Sequence, residues 1–529
     1  MENIKNSKTN IDNIFTGLAF SLAFFMLWYR LRDSSLWYDE TVEYWISKIM
    51  YGSMPLGMRD GTTNMYQRVI GTYQPPLYNF IMYFWLKIHD GELWFRLSGV
   101  FFGFLGTIGL FKSIKYITNT ITANICVVIA SFTYQLIYYY QECAEYSLMI
   151  ACLCWFLYFF VKAIDNPNKK NIVFATVFAI FPIYSQYGSV FVVIPALILL
   201  LIHIILLKNK KNIFIITISY FVAFVFAAIP LIIFYLVPQI TNQQSGVEHC
   251  LMLEKNFFSE VFNGFVAVIT CNFMSALFEK LIVVKIFCTI LILGILTMFF
   301  IRIKITHKFM LILVIISYIL YFFAVKTSYY AVAGGTVAGY YNRYSLFFIP
   351  IIIITLGVLI YNIFSNEYVL EHIIAPENLM YLRGVFIFLL TIYIYSNWVN
   401  KINVPRTKIV NQDARGAVNK WYEIGGFNYV TIVDGNLIEA FSFYERHHKL
   451  NDNYTEKKLK IDYTSTRDER EEFLRQNIDT ENMSDTVFLI AYDYGDVSRL
   501  TSLDSCMMMY GYKRNVIFDN DVKLIEYDK

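Results

Sequence analysis

Charge is what this chain has least of. Only 16% of its 529 residues are Asp, Glu, Lys or Arg, against about 25% in an ordinary soluble domain, and that excludes a wholly water-soluble protein. The scarcity is uneven. Residues 400–529 hold 18 Lys/Arg and 22 Asp/Glu, 40 of the 85 charges, and leave 45 to the first 399 residues. Intrinsic disorder, coiled coil and nucleic-acid binding are all disfavoured by such a composition. Cysteine is sparse too. Eight in the chain make no disulfide scaffold, and Cys126, Cys152, Cys154 and Cys288 sit inside apolar runs as small hydrophobes. Cys250 and Cys271 share a loop, and spacing alone does not decide whether they pair. Internal repeats are missing. The apolar run after the polar stretch Met1–Asn13 has no small-residue cleavage site, so it reads as a first anchor and not as a removed signal peptide.

What the chain does have is apolar bulk: 57% hydrophobic and 18% aromatic residues. Runs near the length of about 20 residues that crosses a bilayer occur at about 14–31, 95–115, 122–141, 145–164, 171–186, 188–207, 212–237, 282–302, 309–326, 344–363 and 382–399. Pro76–Ile88 is shorter, is closed by His89, Asp90 and Glu92, and reads as a helix at the membrane interface. The expected fold is therefore mainly α: a polytopic helical protein of about eleven spans with interfacial helices in its first outer loop. The expected domains are a membrane-embedded part at 1–399 and a soluble α/β part at 400–529. In the latter, Tyr429–Asp434 and Thr486–Tyr492 read as buried strands, and the charged stretch Asp468–Gln476 as a helix.

The net charge of +3 says nothing about partners, but the placement of Lys and Arg fixes an expected orientation. With the N-terminus inside, the short inner connections hold Lys112, Lys115, Lys162, Lys169, Lys170, Lys208, Lys210, Lys211, Arg302, Lys304 and Lys308. The short outer ones hold only Lys326 and Arg343. Cell-membrane localisation with a cytoplasmic N-terminus and an extracytoplasmic tail follows as the expectation. The loops at 32–94, 238–281 and 327–343 then fall outside, and polar residues at that depth mark a functional site by default.

Candidate chemistry lies along this outer side. Ser35-Leu36-Trp37-Tyr38-Asp39-Glu40 sets an adjacent carboxylate pair just past the first span; alone it would read as a hydrated loop. Thr72-Tyr73-Gln74-Pro75-Pro76-Leu77-Tyr78 forces an extended turn and then permits a helix. Glu92, Arg96 and Ser98 lead into a span rich in Gly, followed by Gln141-Glu142-Cys143-Ala144-Glu145-Tyr146, Tyr184-Ser185-Gln186-Tyr187 and Tyr341-Asn342-Arg343-Tyr344.

This ordered set resembles the integral-membrane glycosyltransferases of the C superfamily, in the branch of the protein O-mannosyltransferases and the lipid A aminoarabinose transferases, glycosyltransferase family 39-like, over roughly residues 15–365. The resemblance implies transfer of a sugar from a polyprenyl-phosphate carrier to an acceptor at the outer face. It implies Asp39 and Glu40 as catalytic carboxylates, with Arg343, Arg96 and Gln74 at the donor phosphate. Tyr38, Glu142, Glu145, Gln186, Tyr187 and Tyr341 are implied around the substrates. Gln74 stands where relatives commonly have His or Lys, and Gln186 where many have His, neutral amides that speak against a tightly bound metal; no metal ligand and no cofactor is assigned, and a divalent metal stays open. His249 with Glu248 and Cys250 is contiguous and poorly spaced for a tetrahedral site. Expected partners are the lipid-linked donor, an envelope lipid, polysaccharide or protein as acceptor, and the bilayer. The alternative is a transporter or flippase of lipid-linked sugars, which would place polar groups near the bilayer middle in repeated, broken helices.

Overall fold

A bilayer offers backbone groups no partners, so a chain this apolar must close its hydrogen bonds within helices. The computed structural model is mainly helical accordingly. It describes residues 2–48, 65–72, 74–207, 211–242, 257–273, 281–327, 329–330, 340–366, 376–404, 413–435, 437–448, 458–461, 469, 472, 475–476, 485–492, 504–520 and 522–529. Among these, six helices are long and apolar enough to cross a membrane: Glu92–Ile117, Glu145–Asp165, Tyr187–Leu206, Asn212–Thr241, Ile305–Lys326 and Asn378–Asn400. Shorter apolar helices cover Asp12–Trp28, Phe257–Phe273, Val284–Phe300 and Phe348–Phe364. The chain is a multi-pass membrane protein.

Two elements depart from the sequence reading. The expected single span at 122–141 is a pair of helices, Thr120–Ser131 and Tyr134–Gln141, bent by 67°. The expected outer loop at 238–281 contains the helix Phe257–Phe273, whose Glu260 pairs with Lys326 at 3.0 Å. At Pro76–Ile88 the expected short helix is present as Leu77–Ile88. Cys250 and His249 lie outside the described residues, as does most of Asp468–Gln476.

Chain contacts divide the protein into two units. The first comprises Met1–Tyr29, Val69–Ile81 and Arg96–Val404; the second comprises Arg30–Arg68, Met82–Phe95 and Pro405–Lys529. In the first, the helix Glu92–Ile117 meets the second helix of the bent pair through its glycines. A Cβ at Gly99 would strike the Tyr140 carbonyl, and one at Gly103 would come within 2.7 Å of the Tyr140 ring.

The second unit is built on a five-stranded sheet. Its strands are β1 (Val430–Asp434), β2 (Lys458–Ile461), β3 (Thr486–Tyr492), β4 (Lys513–Asp519) and β5 (Val522–Asp528), in the order β2-β1-β3-β5-β4. β1 runs parallel to β2 and β3, with Val430 opposite Val487, while β5 pairs antiparallel with β3 and β4. Central β1 and β3 are buried on both faces, as parallel strands require. Edge strand β4 is largely exposed and opens on Lys513 and Arg514, charges that discourage edge-to-edge pairing. The helix Ala414–Glu423 ends on Gly425 in the left-handed region (φ 74°), whose N–H bonds the Tyr422 carbonyl at 3.0 Å.

Candidate active site

Three of the expected residues converge in the first unit. Glu145 is the first residue of the helix Glu145–Asp165, where the positive end of the helix dipole favours a carboxylate. It is buried, as is Glu142 in the extended link before it. The charges of Glu145 and Arg343 both act on the Tyr146 phenol, and Glu145 and Tyr344 act on that of Tyr330. Arg343 sits in the turn Tyr340–Ser345, its guanidinium 5.3 Å from the centre of the Tyr344 ring. Gln186 caps the helix Lys169–Ser185, and its Nε2 donates to the Tyr330 hydroxyl at 3.0 Å. Burial pushes the Tyr330 phenol up, so it stays protonated. Gly188 makes this approach feasible: a Cβ there would collide with the Tyr330 hydroxyl and stand 2.7 Å from the Gln186 Oε1. The Arg343 turn is held from below by Asn272, which donates to the Ser345 Oγ at 2.9 Å and its carbonyl at 3.3 Å.

A second group in the same unit is tied by one amide. Gln239 accepts from the Tyr187 hydroxyl at 2.7 Å and donates to the carbonyls of Val69 at 2.9 Å and Gln74 at 2.7 Å. The segment that precedes Pro75-Pro76 is thereby fastened to the turn that follows Gln186. Arg96 is fully buried, with Nη1 donating to the Gln141 carbonyl at 3.0 Å. Gln141 in turn donates to the carbonyls of Leu27 and Tyr29 at 3.0 and 2.8 Å. Arg96 therefore braces the backbone beside Glu142. The side chain of Tyr341 lies outside the described residues.

Tyr38, Asp39 and Glu40 belong to the second unit, as the first turn of the helix Tyr38–Lys48. The buried Glu40 folds back so that its Oε2 accepts the Trp37 N–H at 3.2 Å, and Asp39 is half-buried. Among the described residues, no group of three or more His, Cys, Asp or Glu is placed to hold a metal ion.

Residues 73–234 match the family "Dolichyl-phosphate-mannose-protein mannosyltransferase". The fold is similar to that of ArnT from Cupriavidus metallidurans over 98% of both chains. The apo form gives a TM-score of 0.54 at 12% identity, and the form bound to undecaprenyl phosphate 0.51 at 11%. It is also similar to the apo oligosaccharyltransferase of Archaeoglobus fulgidus, with a TM-score of 0.52 at 9% identity, over 93% of this chain and 71% of that one. The chain therefore shares the fold of these two proteins over nearly its whole length. No curated protein sequence matches it.

Within this fold, sequence order alone points to Glu145, Gln186 and Arg343, each flanking an apolar run. It passes over Tyr330, Gln239 and Asn272. Tyr330 follows a span in a doublet of tyrosines, and Gln239 follows Pro238 at the end of another; neither position differs locally from an ordinary interfacial residue.

Proposed function

We propose that the protein transfers a sugar from a polyprenyl-phosphate carrier to a hydroxyl acceptor at the outer face of the membrane. The observation that carries this reading is that Gln186 and Arg343 are joined through the neighbouring rings of Tyr330 and Tyr344, 6.4 Å apart, in a chain whose residues 73–234 match a family of lipid-phosphate-sugar transferases. The ArnT structure bound to undecaprenyl phosphate supports a lipid-linked donor. Nucleotide sugars are cytoplasmic, so outward-facing transfer needs a sugar already carried across by lipid.

In the reaction, the acceptor oxygen attacks the anomeric carbon and a new C–O bond forms. The bond from that carbon to the phosphate oxygen breaks, and its electron pair leaves on the polyprenyl phosphate. The hydroxyl proton passes to Asp39, the half-buried carboxylate in the first turn of the helix Tyr38–Lys48. Arg343 neutralises the phosphate charge that grows as the sugar departs. Gln74 joins Arg343 at the donor phosphate, and Arg96 braces the backbone beside Glu142.

Asp39→Asn tests the assignment. The variant is expected to insert into the membrane and bind the donor while losing turnover, and near-native turnover would remove Asp39 from the mechanism. Mass analysis of envelope glycans with and without the protein identifies the product. A sugar missing from one acceptor supports transfer, whereas loss of lipid-linked sugar translocation with transfer intact supports a flippase.

A further inference from the structure

The charged tail has no role in the reaction just proposed, yet its side chains reach into the segment that carries the carboxylate pair. Arg415 donates through Nη2 to the Ser34 carbonyl at 2.5 Å and through Nη1 to the Arg32 carbonyl at 3.3 Å. The same Nη2 lies 2.9 Å from Oε1 of Glu92. Tyr444 accepts the Leu36 N–H at 2.6 Å and donates to the other Glu92 oxygen at 3.1 Å. Glu92 thus binds both tail residues at once, and the backbone at 32, 34 and 36 is fastened at three successive alternate positions. Beyond the carboxylates, the Trp45 indole N–H donates to the Glu439 carbonyl at 3.1 Å, and Arg446 bonds the Tyr44 hydroxyl and the Asp90 carbonyl. Asp39 and Glu40 are flanked on both sides, four residues or fewer away, by contacts from the tail.

We propose that the tail is a splint for the catalytic carboxylates, with Arg415, Tyr444 and Glu92 as its positioning residues; this rests on the assignment of Asp39 as base. Its physical basis is that the three groups bond one another while largely shielded from water: the Glu92 side chain is 15% exposed and that of Arg415 29%, while Leu36 is fully buried. Charge-assisted bonds of this kind are stronger than neutral ones. Four of them end on a loop backbone or on its Glu92 partner, and the neutral bond from Leu36 to Tyr444 adds a fifth tie. A base held off its line of attack by about 1 Å loses on the order of 10²-fold in rate.

The test uses full-length protein in nanodiscs with a polyprenyl-phosphate sugar. Tyr444→Phe removes both hydroxyl bonds but keeps the ring packed on Phe443. Glu92→Gln keeps the shape and removes the charge that Arg415 pairs with. For both variants, kcat is expected to fall about 10–100-fold with donor KM within about twofold, and amide exchange over residues 34–41 to accelerate. Native kcat despite faster exchange overturns the splint, as does unchanged exchange. A loss of activity that merely follows the fraction of unfolded protein in thermal melts also overturns it. Asp39→Asn, run in parallel, separates the two ideas. If it retains turnover, the base assignment fails whatever Tyr444→Phe does; if it is inactive while Tyr444→Phe is fully active, the splint alone fails.

Discussion

Gln239 uses both amide protons and an oxygen lone pair on three different partners, one of them 165 residues away in sequence. Removing a partner from a buried polar group costs about 1–3 kcal/mol, so the two obvious substitutions differ. Tyr187→Phe leaves one acceptor unpaired. Gln239→Glu sets a carboxylate oxygen against the carbonyls of Val69 and Gln74 and should destabilise more. A double-mutant cycle on thermal stability is expected to show coupling of about 0.5–3 kcal/mol, and additive effects would dismiss the clasp. Arg343 is tested by rate: Arg343→Lys keeps the charge but loses the planar fork. Both Arg343→Lys and Arg343→Ala should lose turnover, the latter by about 10²–10³-fold, and a fully active Lys variant would refute the phosphate contact. Arg343 and Glu145 were visible in the sequence because a charge beside an apolar run is conspicuous. Gln239, Tyr330 and Asn272 were not, because their roles arise only when distant segments pack.

At the scale of elements, the strands Val430–Asp434 and Thr486–Tyr492 were legible as short apolar runs, and the long helices as hydropathy. The 67° break near Phe132 was not, since a hydropathy window sums residues without regard to direction. The helix Phe257–Phe273 was hidden by Glu260, Asn263 and Asn272, polar groups whose partners Lys326, Ser259 and Ser345 come from the fold or the same helix. Glycine carries a related lesson. Gly99→Ala and Gly103→Ala would push a methyl into Tyr140, at the segment that leads to Glu142 and Glu145, and overpacking of this kind costs about 1–3 kcal/mol. Gly384→Ala, with nothing within 4 Å in the helix Pro376–Asn397, should be neutral or stabilise by about 0.5–1 kcal/mol. Melting of the purified variants in detergent checks the contrast, and equal effects at Gly99 and Gly384 would contradict the close helix approach.

At the scale of the whole molecule, the uneven distribution of charge is itself the argument for sidedness. Moving Lys or Arg across a bilayer is costly, so the short loops that carry them stay in the cytoplasm, and eleven of the thirteen such residues in the short connections fall on one side of the expected topology. The chemistry depends on this. A site facing the cytoplasm would meet nucleotide sugars directly and would need no polyprenyl carrier. Single cysteines on a cysteine-free background decide the matter in intact cells with a membrane-impermeant maleimide. Lys170 is exposed at the start of the helix Lys169–Ser185, and a cysteine there should react only after lysis. Lys513, exposed on the edge strand β4, and Gln243, beyond the helix Val237–Asn242, should react without it. Labelling of position 170 in unbroken cells, with protection at 513, would turn the protein over in the membrane. It would place Asp39 and Arg343 on the cytoplasmic face and withdraw the lipid-carried donor from the proposed reaction.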